Sequence, residues 1–422
     1  MLEAIVLTAH KKKSKFTLVY MDAAGELVDT DLEAVVRSGN KFLPAKNFIP
    51  LPPGSDLMYL PGRAPLVWVD NEAQVVESAD EDPIYPLAAI LPAGYSRLAL
   101  PAYEKQEDAP LLPLFGYTAI VSLQGELYVA AKKTDDPEKW NPLNYPNEKL
   151  PAAVAQVKKT LPNNRLVAHL AHCALEYHCL TAANIFFHRW EGGLPTSPRC
   201  NADCLGCISL QESECCPSPQ ERIKFSPTPE EIAKLAIYHL ESKEEPIISF
   251  GQGCEGEPLL ASLQIEKALQ IIRKTTTKGI INMNTNAHSK DKLLKLRAAG
   301  LDSIRVSMIS AVPSTYESYH RPHGYSLNDV LEAGRALKKE GLSISINLLT
   351  IPGLNDTPSE LKAWENLLKE GWIDLIQIRN LNIDPDWFFN VIPVEEEGLG
   401  IEHLIEVLGK YAPVGNFSHY SK

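Results

Sequence analysis

Cys200, Cys204 and Cys207 lie within ten residues, Pro198 to Cys207, in the spacing C-x3-C-x2-C. Thiolate sulfur is a soft anionic donor that suits iron and zinc. Three such donors on one short loop can each take one iron of a cubane [4Fe–4S] cluster, leaving the fourth iron without a protein ligand. An open coordination position marks a catalytic metal, whereas structural sites close with four protein ligands. Taken alone, the spacing also admits a zinc site. A second run, Gly253-Cys254-Glu255-Gly256-Glu257-Pro258, combines a carboxylate suited to an ammonium-type donor with a glycine that lets a ligand approach the backbone.

These residues need a scaffold that brings loops together, and the sequence around them supplies its pattern. From residue 183, short β-rich runs alternate with amphipathic helices. Strands are expected at Asn184–Trp190, Ile247–Phe250, Ile280–Asn284, Ser303–Ile309, Ser343–Thr350 and Asp374–Asn380. Helix starts are written as Thr228-Pro229-Glu230-Glu231 and Thr357-Pro358-Ser359-Glu360, with Ser289 and Ser326 as further N-caps. Gly300, Gly341 and Gly371 fall where helices should end, a few residues before the next strand. Six strands with intervening helices imply a parallel sheet with right-handed crossovers, an α/β partial (βα)6 TIM-like barrel. In barrels the chemistry sits on loops at strand C-termini, where these motifs fall.

With its cysteine loop after the first strand and its Gly-Glu-Pro segment after the second, the chain resembles the radical SAM superfamily over about residues 183–385. That resemblance implies a [4Fe–4S] cluster held by Cys200, Cys204 and Cys207, with S-adenosylmethionine (SAM) on the fourth iron. It implies reductive cleavage of SAM to a 5′-deoxyadenosyl radical that abstracts hydrogen from an organic substrate. It puts the methionine amino group at Gly256, Glu257 and Pro258. Asn286, in Asn284-Thr285-Asn286-Ala287, and Ser307, in Arg305-Val306-Ser307-Met308, correspond to ribose-contacting positions. Ile351-Pro352-Gly353-Leu354-Asn355 corresponds to the segment flanking adenine, and Arg321 to a contact with the methionine carboxylate. An electron donor such as ferredoxin or flavodoxin would be the partner. Two departures stand out: Glu255 replaces the first glycine of the second motif, and Gly206 stands where many members carry an aromatic residue.

Other features have a plainer reading beside the functional one. All eight cysteines fall between Cys173 and Cys254, clustering that a disulfide framework would not produce. Cys215, Cys216 and Cys254 would supply an auxiliary cluster or a thiol near the radical; reduced, partly buried cysteine is the plainer reading. His169, His172, Cys173 and Glu176 share a helix face and such a stripe can bind metal. The apolar residues between them favour a packed helix with satisfied histidines. Arg321 reads more readily as a surface ion pair, Trp387-Phe388-Phe389 as a packing anchor, and Glu395 to Glu397 as a solvated run.

The chain has 422 residues, 45% apolar and 22% charged, enough for two or three domains. Residues 1–132 read as a β-rich domain, with hairpins at Phe16–Val28 and Tyr117–Ala131. Residues 133–182 read as a linker with helices, 183–385 as the barrel, and 386–422 as a C-terminal helical extension. The net charge of −12 disfavours nucleic acid as partner. No apolar run reaches the length of a membrane span, and the N-terminus lacks the order of a secretory signal, so a cytoplasmic location is expected. Two alternatives remain: a peptide or protein modifier that recognises its target with the N-terminal domain, and a non-enzymatic Fe–S electron carrier.

Overall fold

The computed structural model describes residues 5–6, 16–77, 82–136, 138, 141, 144–210, 220–242 and 245–415. Cys215 and Cys216 lie outside the described residues, as does part of the expected linker.

Seven strands form one sheet in sequence order: Glu191–Gly193, Ile247–Phe250, Ile280–Thr285, Ser303–Met308, Ser343–Thr350, Leu375–Asn380 and Val414–Gly415. The first five pair in parallel with their neighbours, and the sixth pairs in parallel with the seventh. This is the partial TIM-like barrel of an α/β protein. Its strands are largely buried, Ile247–Phe250 throughout, and even the polar Ser249, Asn282 and Ser345 lie inside.

Between strands the helices start and stop where the punctuation dictates. Thr228 caps helix Pro229–Leu240: Glu231 N donates to Thr228 Oγ1, and the Glu231 carboxylate accepts from Thr228 N at 2.8 Å. At Ser326 both the backbone N and the hydroxyl donate to the Asp329 carboxylate. Ser289 precedes helix Lys290–Ala299 without a side-chain cap bond. Gly300 closes that helix at φ +116°, where only glycine is unstrained.

The expected strand Asn184–Trp190 is a correction. Residues Leu180–Phe186 form a helix, and the first barrel strand is the three-residue segment Glu191–Gly193. The aromatic and β-branched content of this run suggested strand, but tertiary packing decides. Ile185 presses on Gly192 so closely that a Cβ there would lie 2.3 Å from Ile185 Cδ1. Asn184 is fully buried, donating to Glu191 O at 2.6 Å and accepting from Tyr145 Oη at 2.7 Å. The seventh strand, two residues long, carried no readable signal.

By contacts, one compact unit gathers Met1–Asp136 with Leu349–Glu365 and Ile378–Lys410. It is rich in antiparallel strands. Thr17–Met21 pairs with Leu27–Glu33 through a turn in which Asp22 Oδ1 accepts from Ala24 N and Glu26 N. Tyr117–Leu123 pairs with Glu126–Val129 through Gln124-Gly125, both at positive φ, the primed turn whose twist matches a hairpin. Inside this unit, three buried arginines tie 16–136 to the last residue of the fifth barrel strand and to the segment after the sixth. Arg97 donates to the carbonyls of Tyr117, Thr350 and Leu381 at 3.0–3.2 Å. Arg63 pairs with Asp384 at 2.9 Å, both side chains fully buried, and Arg37 pairs with Asp386. A long-range bond of this kind leaves no trace in linear sequence. The second unit holds Pro137–Leu348, Asn366–Gln377 and Tyr411–Lys422.

Candidate functional site

The cysteine loop follows the first barrel strand and is pinned along its length. Asp203 N donates to Arg321 O, Leu205 N to Tyr319 O and His323 N to Asn201 O, at 2.9–3.3 Å, and Ala202 forms a β-bridge with Pro322. The segment 319–323 is thus a splint for the loop. Arg321 takes a left-handed backbone, φ +47°, and its side chain is exposed. Its structural contribution is made by its carbonyl.

Each thiol of the loop has its own surroundings. Cys204 Sγ lies 3.3 Å from His320 Nδ1. Cys207 Sγ accepts from Arg222 Nη2 at 3.6 Å and lies 3.6 Å from Ser209 Oγ. Burial pushes the Cys200 thiol up to about 11, with the Glu257 charge adding to the effect and Arg222 opposing it. Burial, then the neighbouring Cys207 and Cys200 thiolates, push Cys204 well above its ordinary value. Raised in this way, Cys200 and Cys204 are held as thiols near neutral pH, and a metal cation at the loop would favour their thiolates. A single ion would draw its ligand atoms to within about 4 Å of one another. Among the described residues the group of three or more metal-type donors within 4.8 Å of one another lies elsewhere, at His169, Cys173 and Cys254. In a cluster each thiolate binds its own iron, so its cysteines need not meet within the reach of a single ion.

The Gly-Glu-Pro segment is built into the same loop. Gly256 N donates to Ser197 O and Glu257 N to Arg199 O, at 2.8 and 2.9 Å. A Cβ on Gly256 would lie 2.1 Å from Arg199 O, so only glycine permits this approach. Glu257 is buried and accepts three bonds: Thr285 Oγ1 at 2.6 Å and Leu259 N at 2.9 Å on Oε1, Asn286 N at 2.8 Å on Oε2. Burial raises its pKa to about 7 against those donors. Pro258 opens the short 3-10 turn that follows.

Asn286 donates through Nδ2 to Asn201 Oδ1 at 2.8 Å and takes His288 on its own oxygen. The loops after the first, second and third strands are therefore joined: cysteine loop to Glu257 segment through the backbone, Glu257 to Thr285 and Asn286, and Asn286 back to Asn201. Ser307 is half-buried on the fourth strand, opposite Asn347. Arg305, beside it, forms a buried pair with Glu191 at 3.8 Å. The segment Ile351–Asn355 is held by its own bonds, Ile351 N to Asn355 Oδ1 and Gly353 N to Asp356 Oδ1, each 2.7 Å.

Four contributors escaped the sequence reading. Glu255 was read as a departure from a glycine. It accepts Thr196 N at 2.7 Å, Thr196 Oγ1 at 2.9 Å, Ser197 N at 2.9 Å and Gly251 N at 2.5 Å, stapling the start of the cysteine loop to the second strand's loop. Burial lifts its pKa to about 7. Thr285, His320 and Arg222 are common residue types whose partners are distant in sequence. The four-residue stripe on helix Arg165–Leu175 divides. His169 and Cys173 turn toward Cys254, with Cys173 Sγ 3.7 Å from His169 Nε2, while His172 and Glu176 are exposed. Cys173 and Cys254 share a hydrogen bond that holds the Cys173 thiol below its ordinary value and Cys254 above.

Residues 194–363 match the family model described as Radical SAM superfamily. Among curated proteins the chain is similar to the GTP 3′,8-cyclase of Aquifex aeolicus, 27% identical over 48% of this chain and 61% of that one. It is similar to the probable GTP 3′,8-cyclase of Methanosarcina mazei, 26% identical over 44% of this chain and 54% of that one. A mitochondrial GTP 3′,8-cyclase of Arabidopsis thaliana is 28% identical over 37% of this chain and 38% of its own length. The chain thus spans between 38% and 61% of the length of these relatives. Among the described residues no helix is long and apolar enough to cross a membrane.

Proposed function

The chain carries a radical SAM domain, matched over residues 194–363, and from that premise we propose that it is an enzyme that reductively cleaves SAM to initiate radical chemistry on an organic substrate. Cys200, Cys204 and Cys207 would hold the [4Fe–4S] cluster. When bound, that cluster supplies the electron that breaks a carbon–sulfur bond of SAM and yields the 5′-deoxyadenosyl radical.

The observation that carries this reading is the joining of three strand-end loops at the cysteines. Glu257 N bonds to the carbonyl of Arg199, the residue before Cys200, and the Asn286 side chain bonds to Asn201, the residue after it. A ligand seated at the cysteine loop is thereby within reach of the segments proposed to take its amino acid and ribose ends. Glu257 has one Oε2 lone pair left for an ammonium donor after its three protein bonds. Those bonds fix the carboxylate before a ligand arrives, which lowers the ordering cost of binding. Gly256, Glu257 and Pro258 are proposed at the methionine end, and Asn286 and Ser307 at the ribose. Arg321, with its exposed side chain, acts here through its backbone and is the weakest of the proposed contacts.

GTP is the substrate named for the similar cyclases, and those similarities cover under half of this chain. The net charge of −12 argues against a long polyanion as substrate. A low-potential carrier of the ferredoxin or flavodoxin class is the proposed reductant, and the cytoplasm the proposed location.

The test is anaerobic reconstitution with iron and sulfide, reduction, and incubation with SAM. Production of 5′-deoxyadenosine that Cys200→Ala abolishes supports the proposal. A cluster that forms but yields none with several reductants overturns it in favour of an electron carrier. Adding GTP to the same assay asks whether turnover rises with the substrate of the similar cyclases.

A further inference from the structure

We propose that His169, Cys173 and Cys254 form a separate mononuclear site for a thiophilic divalent metal ion of the zinc class, with a fourth position open to water or an external ligand.

The geometry is that of one ion rather than a cluster. One donor atom from each residue lies within 4.8 Å of the other two, and the edge from Cys173 Sγ to His169 Nε2 is 3.7 Å. An ion with bonds of about 2.0–2.3 Å to nitrogen and sulfur in tetrahedral geometry sets neighbouring ligand atoms roughly 3.5–3.8 Å apart. The trio therefore needs little movement to close on an ion. His169 and Cys173 are four residues apart on helix Arg165–Leu175, one turn on the same face. Cys254 comes from the loop after strand Ile247–Phe250, so the ion would link a helix preceding the barrel to the loop that carries Glu255 and Glu257.

The chemistry of the donors points the same way. One imidazole and two thiolates suit zinc-type ions, and three protein ligands leave a fourth corner. Cys173 and Cys254 are buried and His169 is half-exposed, so the open corner lies on the solvent side. The imidazole is held edge-on by Phe225 at a ring distance of 6.4 Å. Binding replaces thiol protons by the ion and releases those protons to solvent; no electrons move. A pair of neighbouring thiols also has a redox alternative, a disulfide, and the experiment separates the two.

The full-length protein, purified anaerobically, is analysed for zinc and iron together. One zinc per chain in addition to cluster iron is expected. The Cys200→Ala/Cys204→Ala/Cys207→Ala variant, which lacks the cluster ligands, is then titrated with Zn²⁺ against a chromophoric chelator and with Co²⁺ alone. One equivalent, with thiolate-to-cobalt charge transfer and tetrahedral d–d bands, supports the site. Cys173→Ala or Cys254→Ala in that background should weaken binding at least tenfold, while Cys179→Ala leaves it unchanged. If the triple variant is not folded by circular dichroism, the zinc content of Cys173→Ala with its cluster intact decides, and loss of zinc with iron retained supports the site. Stoichiometric binding that survives both cysteine variants overturns the proposal. So does the absence of metal uptake, or a Cys173–Cys254 disulfide in metal-free protein. None of these outcomes depends on whether SAM is cleaved.

Discussion

His320 Nδ1 stands 3.3 Å from Cys204 Sγ at the end of the helix Pro313–His320, with the imidazole buried. Burial holds its pKa down to about 3, so the ring is neutral across the physiological range. A neutral imidazole has one N–H, and the sulfur facing Nδ1 calls for it there, leaving Nε2 as an acceptor without a partner among the described residues. A hydrogen bond to a ligating sulfur stabilises the more negative, reduced form of an iron–sulfur centre. With the proposed cluster on Cys204, His320→Phe should therefore lower its potential by on the order of 50 mV, the equivalent of a net bond worth about 1 kcal/mol. An EPR-monitored redox titration reads this directly, with iron content as control. An unchanged midpoint at full iron content would show that the contact has no electronic role.

Gly256 gives a steric prediction. Its Cα faces the carbonyl of Arg199 so closely that an added methyl would sit 2.1 Å from that oxygen, and both partners are backbone. The strain can be relieved only by moving the start of the cysteine loop or the Glu257 segment. Gly256→Ala should reduce iron retained after reconstitution to below about half of wild type, with the global fold kept, since the damage is local. Iron assay and circular dichroism on the same sample check it. Full iron retention would mean that the loop yields more easily than the contact implies.

The barrel was legible because its units repeat local signals. Thr228 and Ser326 cap helices, Gly300 stops one, and five strands between Ile247 and Asn380 carry apolar runs of the right length. The first strand was not legible, since Glu191–Gly193 is too short and glycine-rich to show a pattern. It exists because its neighbour pairs with it and Ile185 packs over Gly192. At the site, Cys200, Cys204, Cys207 and Glu257 stood out by type and spacing. Glu255 did not, because the family pattern has glycine there and three of its four donors come from Thr196 and Ser197, nearly sixty positions away. His320 and Thr285 reach the site across 116 and 28 positions, which periodicity cannot reveal.

The pair Arg63–Asp384 should dominate the stability of the unit that contains it. Both side chains are fully buried at 2.9 Å, and Asp384 also accepts from Leu112 N and caps helix Pro385–Val391 through Asp386 N and Trp387 N. Removing Asp384 leaves the buried Arg63 only the longer 3.7 Å approach to Asp386 and the carbonyls of Pro61 and Pro110, which costs about 3 kcal/mol, and the lost cap adds about 1. Asp384→Ala should bring urea unfolding of this region to a clearly lower midpoint. Arg63→Met/Asp384→Leu, which removes both charges, should recover much of the loss. A single variant costing under about 1 kcal/mol would refute this.

His239 sets a pH dependence separate from the cysteines. It is fully buried beside the first strand, with Nε2 3.4 Å from Trp190 O and Nδ1 without a partner among the described residues. Desolvation lowers its pKa to about 4, and the Trp190 carbonyl opposes this only in part. In the unfolded chain the group titrates near 6.5. Above that value both states are neutral and His239 adds no pH slope. As pH falls from about 6.5 to 4, the unfolded chain takes up a proton that the folded one refuses, so stability declines by up to about 1.4 kcal/mol per unit. His239→Gln keeps a donor for Trp190 O and removes the titration. Denaturation of the metal-free protein between pH 7.5 and 5 should show the wild type losing stability below pH 6.5 and the variant losing less, by about 1 kcal/mol per unit at the acid end. Parallel curves would show that the folded protein protonates this imidazole as readily as the unfolded chain does, against the effect of its burial.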